Sequence, residues 1–216
     1  MSQSYGKTRW KRFALVMVPS VAATAAIGVS LANSALAASF SVSGQQFKVT
    51  VQDLQGDGFS QFGGVDSEAN KTPHPVAISA FDDAKLQSLC QSVVTDLGPL
   101  GKWTLVLKAG ENSANDDSKK VHAQQLLIDL NQLNADAEFK NINIGQDAST
   151  LTGSAVGKLQ KDGGKLPTGA QGFSQHADSA HLTNVQQTAW ATSAGTFTLP
   201  GLHLNINQGT DSECYK

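Results

Sequence analysis

Apolar residues recur at every second position over several stretches of this chain. The clearest stretches are Phe47-x-Val49-x-Val51, Trp103-x-Leu105-x-Leu107 and Leu202-x-Leu204-x-Ile206, with Phe40-x-Val42 and Phe197-x-Leu199 as shorter examples. The positions between them are mostly Ser, Thr, Lys, Gln or Asn. A period of two places the apolar side chains on one face of a β-strand and the polar ones on the other. The pattern therefore predicts an all-β fold.

One stretch departs from this alternation. Residues 126–133 read LLIDLNQL, which predicts a strand buried on both faces, with a short helix as the alternative. Three stretches rich in Gly and polar residues, 56–75, 110–120 and 161–172, predict loops. Composition does not shift along the chain after its first residues, so we predict a single domain.

A seven-residue pattern occurs three times: DAKLQSL at 83–89, DAEFKNI at 136–142 and SAHLTNV at 179–185. In each copy the second, fourth and seventh residues are apolar, whereas a straight strand would repeat at the second, fourth and sixth. The extra residue predicts a bulge or corner at Ser88, Asn141 and Asn184, whose side chains can satisfy turning backbone.

A recurring bend of this kind is typical of the stacked coils of a β-solenoid. The copies start 53 and 43 residues apart, so each interval could hold two coils of about 20–30 residues. We therefore predict solenoid-like stacked strands, with an antiparallel β-sandwich as the alternative. The third residue of each copy varies (Lys85, Glu138, His181), which predicts that it faces solvent.

The start of the chain has the features of a secretory signal helix. Four basic residues and no acidic one lie among the first twelve, and no charge follows from Phe13 to Ala32. Ala35-Leu36-Ala37 then forms a small-x-small cleavage site. We predict a signal peptide over 1–37 and an exported domain over 38–216; an uncleaved membrane anchor is the alternative, because about 20 apolar residues can span a bilayer.

Removing the leader makes the chain more acidic. The full chain has 16 basic and 18 acidic side chains, and without the four basic residues of the leader the net charge is −6. An acidic domain has no electrostatic reason to bind nucleic acid, so we expect no nucleic-acid partner.

Two cysteines, Cys90 and Cys214, lie in the predicted exported part. An even count in an exported protein predicts a disulfide, and only one pairing is available. We interpret it as a structural bond that holds the C-terminal tail to the body, since the chain has no CxxC motif.

The catalytic candidates are weak. No GxSxG motif of a serine esterase occurs; the nearest stretch is Gly172-Phe173-Ser174-Gln175-His176. Ser174, His176 and Asp178 alternate on one predicted strand, but triad members usually come from separate elements.

Candidate metal ligands are equally sparse. His176, Asp178 and His181 have a spacing of low specificity, and the acidic loop at 111–117 lacks the oxygen spacing of known calcium loops. We predict no metal and no cofactor.

Four aromatic residues, Phe59, Phe62, Phe173 and Trp190, fall in or beside polar stretches. They predict either core packing or an apolar patch for a lipid or a partner protein.

Several longer stretches carry a resemblance: TRWKRFALVMVPSVAATAAIGVSLA, SFSVSGQQFKV, NINIGQDAS, DSAHLTNVQQTAWATSAGTF and the terminal ECY. Together they resemble a family of exported, uncharacterised proteins from Streptomyces and related actinobacteria that is often labelled cholesterol esterase. Members tend to be encoded beside a small multi-span membrane protein, which implies an envelope-associated partner. The resemblance supplies no catalytic motif.

These observations predict a non-catalytic β-scaffold or binding protein, secreted or associated with the cell envelope and able to form oligomers through open strand edges. The alternative is a lipid or steryl ester hydrolase, as the label of the resembling family implies, with Ser174, His176 and Asp178 as its candidates.

Overall fold

β-Strands dominate residues 41–68 and 72–216, which are the residues that the computed structural model describes. One α-helix, α1, and several short 3-10 turns complete this part of the chain. The predicted leader over 1–37 lies outside the described residues. The strands are β1 (Ser41–Val42), β2 (Phe47–Glu68), β3 (Pro73–Gln87), β4 (Leu89–Asp96), β5 (Lys102–Ala109), β6 (Val121–Lys140), β7 (Asn143–Asp147), β8 (Phe173–Ser193), β9 (Thr196–Thr198) and β10 (His203–Gln208), and the helix is α1 (Ser154–Lys161).

Four long strands close into a β-barrel. β2 pairs antiparallel with β3 on one side and with β8 on the other, and β6 joins β3 to β8. Followed around the ring, Phe47 pairs with Ala189, Ala189 with Leu130, Leu130 with Ala77, and Ala77 with Gly63. The path returns to β2 far from where it began, so the strands are strongly staggered.

The all-β class and the single domain are thereby confirmed. Apart from the short parallel pair of β1 with β2, the strands pair antiparallel in one sheet that closes on itself. A solenoid would stack parallel coils, and a sandwich would pack two sheets. Closure through the pairing of β2 with β8 is the physical reason, because it leaves no separate second layer.

The predicted loop over 56–75 is wrong. β2 continues to Glu68 and β3 begins at Pro73, so only a short connection remains. An added Cβ at Gly56 would lie 2.3 Å from the Phe81 ring, and one at Gly64 would lie 2.4 Å from Ile78. These glycines therefore make room for core side chains within a strand and do not mark turns.

The sequence pattern did not predict the short helix α1. Its Ala155, Val156 and Leu159 are buried against the outside of the barrel. Asp82 on β3 accepts the backbone N–H of Ala155 at 2.8 Å and so caps the helix start. In the described residues, no helix has the length and apolar character needed to cross a membrane.

The apolar run of residues 126–133 is a strand, as predicted. It lies within β6, and residues 126–130 are buried on both faces. One face points into the barrel, with Leu126, Ile128 and Leu130, and the other packs Leu127 towards α1. The predicted loops over 110–120 and 161–172 are also largely confirmed.

The three copies of the seven-residue pattern each contain the predicted corner. Ser88, Asn141 and Asn184 adopt positive φ values of 55°, 53° and 54°. Asn184 donates a side-chain hydrogen bond to Asp136 at 3.0 Å, and Asn141 donates one to Asp178 at 2.6 Å. Asn tolerates this backbone region better than most residues, so the composition of the pattern suits its conformation.

The copies also align with one another across the sheet. Leu54 of β2 lies opposite Leu86 of the first copy and Leu182 of the third. Leu182 in turn lies opposite Ala137 of the second copy. The repeated apolar positions therefore meet inside the barrel, and the repeat is a feature of its wall.

Substitution at the corner tests this interpretation. Asn184→Val should lower the free energy of unfolding by about 1–2 kcal/mol, because a β-branched side chain is strained at this positive φ. Asn184→Gly should cost less, since glycine accepts the backbone but loses the hydrogen bond to Asp136. The measurement is urea unfolding, with Gln186→Val, an exposed extended position on the same strand, as the control. Equal stability of Asn184→Val and Gln186→Val would contradict the interpretation.

Candidate functional site

The structure separates the three residues proposed as a catalytic set. Ser174 is fully buried, and its hydroxyl donates to the backbone carbonyl of Gln146 at 2.7 Å. His176 contacts a different serine, Ser60, through Nδ1 at 3.2 Å. Asp178 is exposed and accepts from Asn141. Each side chain thus has its own partner, and no hydrogen bond joins Ser174 to His176 or His176 to Asp178.

The candidate metal ligands also lie apart. His181 faces solvent, as its place in the repeat predicts, with 44% of its side chain exposed. Its Nε2 lies 2.5 Å from a carboxylate oxygen of Asp53, away from His176 and Asp178. Within the described residues, no cluster of three or more His, Cys, Asp or Glu side chains has the geometry to hold a metal ion.

The four aromatic candidates differ in their burial. Phe59 and Phe62 are buried, so core packing is the correct alternative for them. Trp190 is partly buried and stacks on His74 with ring centroids 3.8 Å apart. Phe173 alone of the four is well exposed, at 57%.

A polar cleft of about 410 Å³ lies on the outer side of the barrel wall. All three copies of the repeat contribute to it, through residues such as Lys85, Glu138 and His181. Lys85 forms an ion pair with Asp117 at 2.8 Å, and both of these side chains are well exposed. Charges of both signs that reach solvent need no ligand, and exposed pairs add little stability. The cleft is therefore a solvated outer surface of the repeat.

Two carboxyl groups are buried together at the far end of the barrel wall. Asp66 on β2 and Asp129 on β6 are 0% and 2% exposed. The two carboxyl groups lie close enough for each to shift the pKa of the other, and no donor from the described residues reaches either oxygen of Asp66 or Oδ1 of Asp129. A hydrogen bond between two carboxyl groups requires one of them to hold a proton.

Burial sets the ionisation of this pair. It raises the pKa of Asp129 to about 8, and the negative charge of Asp66 contributes to the same shift. Burial also raises the pKa of Asp66 to about 6, although its hydrogen bond to Asp129 and the charge of nearby His74 oppose this. His74 itself bonds to Glu68 at 2.8 Å.

A buried acid pair with raised pKa values resembles the acid–base centre of some enzymes. Neither carboxyl group reaches solvent, however, so a substrate cannot contact it in this conformation. The pair is an internal polar contact between β2 and β6. Sequence reasoning missed it, although an Asp inside the apolar run LLIDL was a signal that could have found Asp129.

β4, β5 and β10 extend the barrel wall into a three-stranded sheet whose two faces differ. The C-terminal tail covers one face. Cys214 is disulfide-bonded to Cys90 with the Cα atoms 5.8 Å apart, and its N–H donates to Ser92. Thr104 donates to the carbonyl of Gly209 at 2.6 Å. The predicted disulfide and its role in holding the tail are thus confirmed.

The opposite face of this sheet is largely apolar and is exposed along β10, while Leu107 on β5 packs partly against the barrel core. Its cross-strand rows follow from the register, with Ile206 beside Leu105 and Leu204 beside Leu107. Ile206 and Leu204 are 63% and 55% exposed, and Leu100 in the adjacent turn is 67% exposed. We name as the apolar face the side chains of Gln91, Val93, Thr95, Trp103, Leu105, Leu107, Leu204, Ile206 and Gln208.

The edge of this sheet is open. β10 pairs only with β5, so its outer backbone groups have no strand partner in the described chain. Its sequence HLNINQ contains no Lys, Arg, Asp, Glu or Pro, which are the residues that usually block edge pairing. Exposed contiguous apolar surface of this kind marks interaction sites. The apolar face is therefore the candidate functional site.

The buried acid pair predicts how stability depends on pH. The pKa values in the folded state lie above the ordinary value of 3.8, so this stabilising contribution is complete below about pH 4 and is lost as pH rises through about 6 to 8. Asp129→Asn should remove most of this dependence on pH and raise the free energy of unfolding at pH 8 by about 1–2 kcal/mol. The reason is that the N–H of the Asn amide can donate to the Asp66 carboxylate at any pH, whereas Asp129 must first be protonated.

Urea unfolding from pH 5 to 8.5 measures this effect. Asp57→Asn, at an exposed position on β2, is the control and should leave the pH dependence unchanged. An unaltered slope in Asp129→Asn would show that the pair does not titrate in this range.

Comparison with known proteins gives one result. Residues 43–215 match a family described as "Family of unknown function (DUF6230)". No curated protein and no solved structure matches the chain. The match covers nearly all of the β-domain, from the residues before β2 to the tail beyond Cys214, and the chain therefore belongs to the DUF6230 family of unknown function.

Proposed function

We propose that this chain is a non-catalytic, exported β-scaffold that assembles with a second copy through the apolar face. The observation that carries the proposal is the contrast between the two faces of the β4–β5–β10 sheet. The tail and its disulfide cover one face, while the other presents Leu204 and Ile206 to solvent. Removing such surface from water is the main favourable term in protein association.

We expect the apolar face to bind a flat protein surface and not a lipid bilayer. A lipid bilayer would cover the apolar side chains, but it would also bring the unpaired backbone of β10 towards hydrocarbon, where nothing satisfies it. A second sheet packed about 10 Å above the first covers the side chains and leaves the β10 backbone at a wet rim.

Charge is compatible with a second copy as that surface. Without the predicted leader the chain has a net charge of −6, so two copies carry net charge of the same sign. The nine side chains of the apolar face include no charged group, and Gln91, Thr95 and Gln208 form a polar border to its apolar centre. Such a patch can meet its own copy across a twofold axis without bringing like charges together.

Location outside the cytoplasm is the second part of the proposal. The disulfide is compatible with an oxidising compartment, and the residues before the domain have the charge and apolar pattern of an export leader. An envelope protein partner fits the same setting and would bind surfaces other than the apolar face.

Self-association tests the scaffold proposal. Each apolar face is smaller than the roughly 20–30 residues a side of a standard interface, so we expect a dimer with a dissociation constant in the micromolar range. Sedimentation equilibrium over roughly 1–100 µM should follow the monomer–dimer balance. Ile206→Lys should give a monomer, because it buries a charge in the interface.

Asn205→Lys is the matched control. It adds the same charge to the same strand, but on the face turned towards the tail, and should leave the dimer intact. A wild-type protein that stays monomeric, or equal effects of the two substitutions, would overturn the proposal.

Ester hydrolysis tests the non-catalytic part. The purified chain should not hydrolyse acyl or steryl esters above background, because Ser174 is buried with its hydroxyl bonded to a carbonyl. The assay compares the wild type with Ser174→Ala and Ser60→Ala, each checked for folding by circular dichroism. Turnover that either substitution abolishes would identify the chain as a hydrolase.

A further inference from the structure

The inside of the barrel contains a cavity of about 160 Å³, which we name the barrel cavity. β2, β3, β6 and β8 all contribute to its wall. β3 pairs with β6 only as far as Leu130, so the second half of β6 has one open side. Leu133, Ala135 and Ala137 on that half line the cavity and are exposed, which places its entrance there.

The wall is mostly apolar, with Gln61, Ser79 and Gln187 as its polar members, and it carries no charged side chain. Three aromatic rings form its centre: the Phe59 centroid lies 5.3 Å from that of Phe81 and 5.1 Å from that of Phe139. A charged ligand would lose its hydration here without a partner, which costs several kcal/mol or more. The cavity therefore selects neutral molecules.

One polar group in this wall has no partner. The side chain of Gln187 is only 7% exposed and lines the cavity, yet it makes no hydrogen bond with the described residues. By contrast, the neighbouring Gln61 donates to Ser79 at 2.8 Å. The amide atoms of Gln187 border the open space of the cavity, where a hydroxyl or carbonyl group of a ligand can reach them.

We propose that the barrel cavity binds a small neutral amphipathic molecule, with a compact apolar body against the Phe rings and a hydroxyl or carbonyl group bonded to the amide of Gln187. A cavity of this volume accommodates a body of about six carbons, because an engineered apolar cavity of about 150 Å³ binds benzene. An entire sterol is too large, since pockets that hold drug-sized ligands have volumes of about 300–1,000 Å³. The site lies inside the barrel, away from the apolar face.

Cyclohexanol is the probe, and toluene and cyclohexanecarboxylate are its comparisons. Cyclohexanol should bind the wild-type chain with a dissociation constant on the order of 1 mM, the range expected for so few atoms. Toluene has no polar group, so it should bind through the apolar part of the cavity alone. Cyclohexanecarboxylate is charged and should not bind. Titration followed by amide chemical shifts in NMR measures all three, with contacts from the probe to Phe139 and Leu133 expected.

Two substitutions separate the polar contact from the cavity itself. Gln187→Leu should weaken cyclohexanol at least tenfold while toluene binds as before. Gln186→Leu makes the same change one residue away on the outer, exposed side of β8 and should alter neither. Ala137→Phe fills the cavity and should abolish the binding of both cyclohexanol and toluene. If the Ala137→Phe variant fails to fold, Ala135→Val serves in its place.

The outcomes decide the proposal directly. Failure of wild-type protein to bind cyclohexanol overturns it, as does undiminished binding to a folded Ala137→Phe or Ala135→Val variant, because the probe then sits elsewhere. Equal cyclohexanol affinity in Gln187→Leu and wild type overturns the role of the amide. Loss in Gln187→Leu but not in Gln186→Leu, with toluene unaffected, supports the proposal.

Discussion

The pairing of β2 with β8, from Phe47 to Phe62, is the contact on which the rest of this structure depends. β2 already pairs with β3, and β6 joins β3 to β8, so this one pairing turns an open sheet into a closed ring. Closure removes two long strand edges and creates an interior for the apolar side of each strand. The stagger of the ring leaves part of β6 unpaired with β3, and the barrel cavity opens at that place.

Some polar groups of this molecule are buried at a cost in desolvation. Asp66 and Asp129 lie on the two strands that flank β3, whereas Gln187 lines the barrel cavity together with Val185, two positions before it on β8. Each is a polar group in a place that apolar residues could fill with lower desolvation cost. Such groups specify register in some proteins and bind ligands in others. The acid pair fits the first role, since it contacts only the protein, and Gln187 fits the second, since it faces a cavity.

The three-stranded sheet of β4, β5 and β10 has two different faces because the disulfide-bonded tail covers one of them. The disulfide of Cys214 with Cys90 and the hydrogen bonds of the tail protect Ser92 and Thr104 from solvent. No segment of the described chain does the same for Leu204 and Ile206. The asymmetry follows from the tail lying against one side of the sheet, and it concentrates the exposed apolar surface in one uncharged patch.

The sequence by itself determined the strand class, the corner positions and the disulfide. Alternation of apolar residues, the extra residue before Leu89, Ile142 and Val185, and an even cysteine count are local signals that depend on neighbouring residues or on simple counting. Only the tertiary structure decided that residues 56–68 form a strand and not a loop, because their glycines leave space for the side chains of Phe81 and Ile78 on another strand. It likewise decided closure into a barrel, the separation of Ser174, His176 and Asp178, and the position of Gln187. These features depend on which strands become neighbours. The alternation within a segment shows that it is a strand, but it does not show which distant segment the strand pairs with.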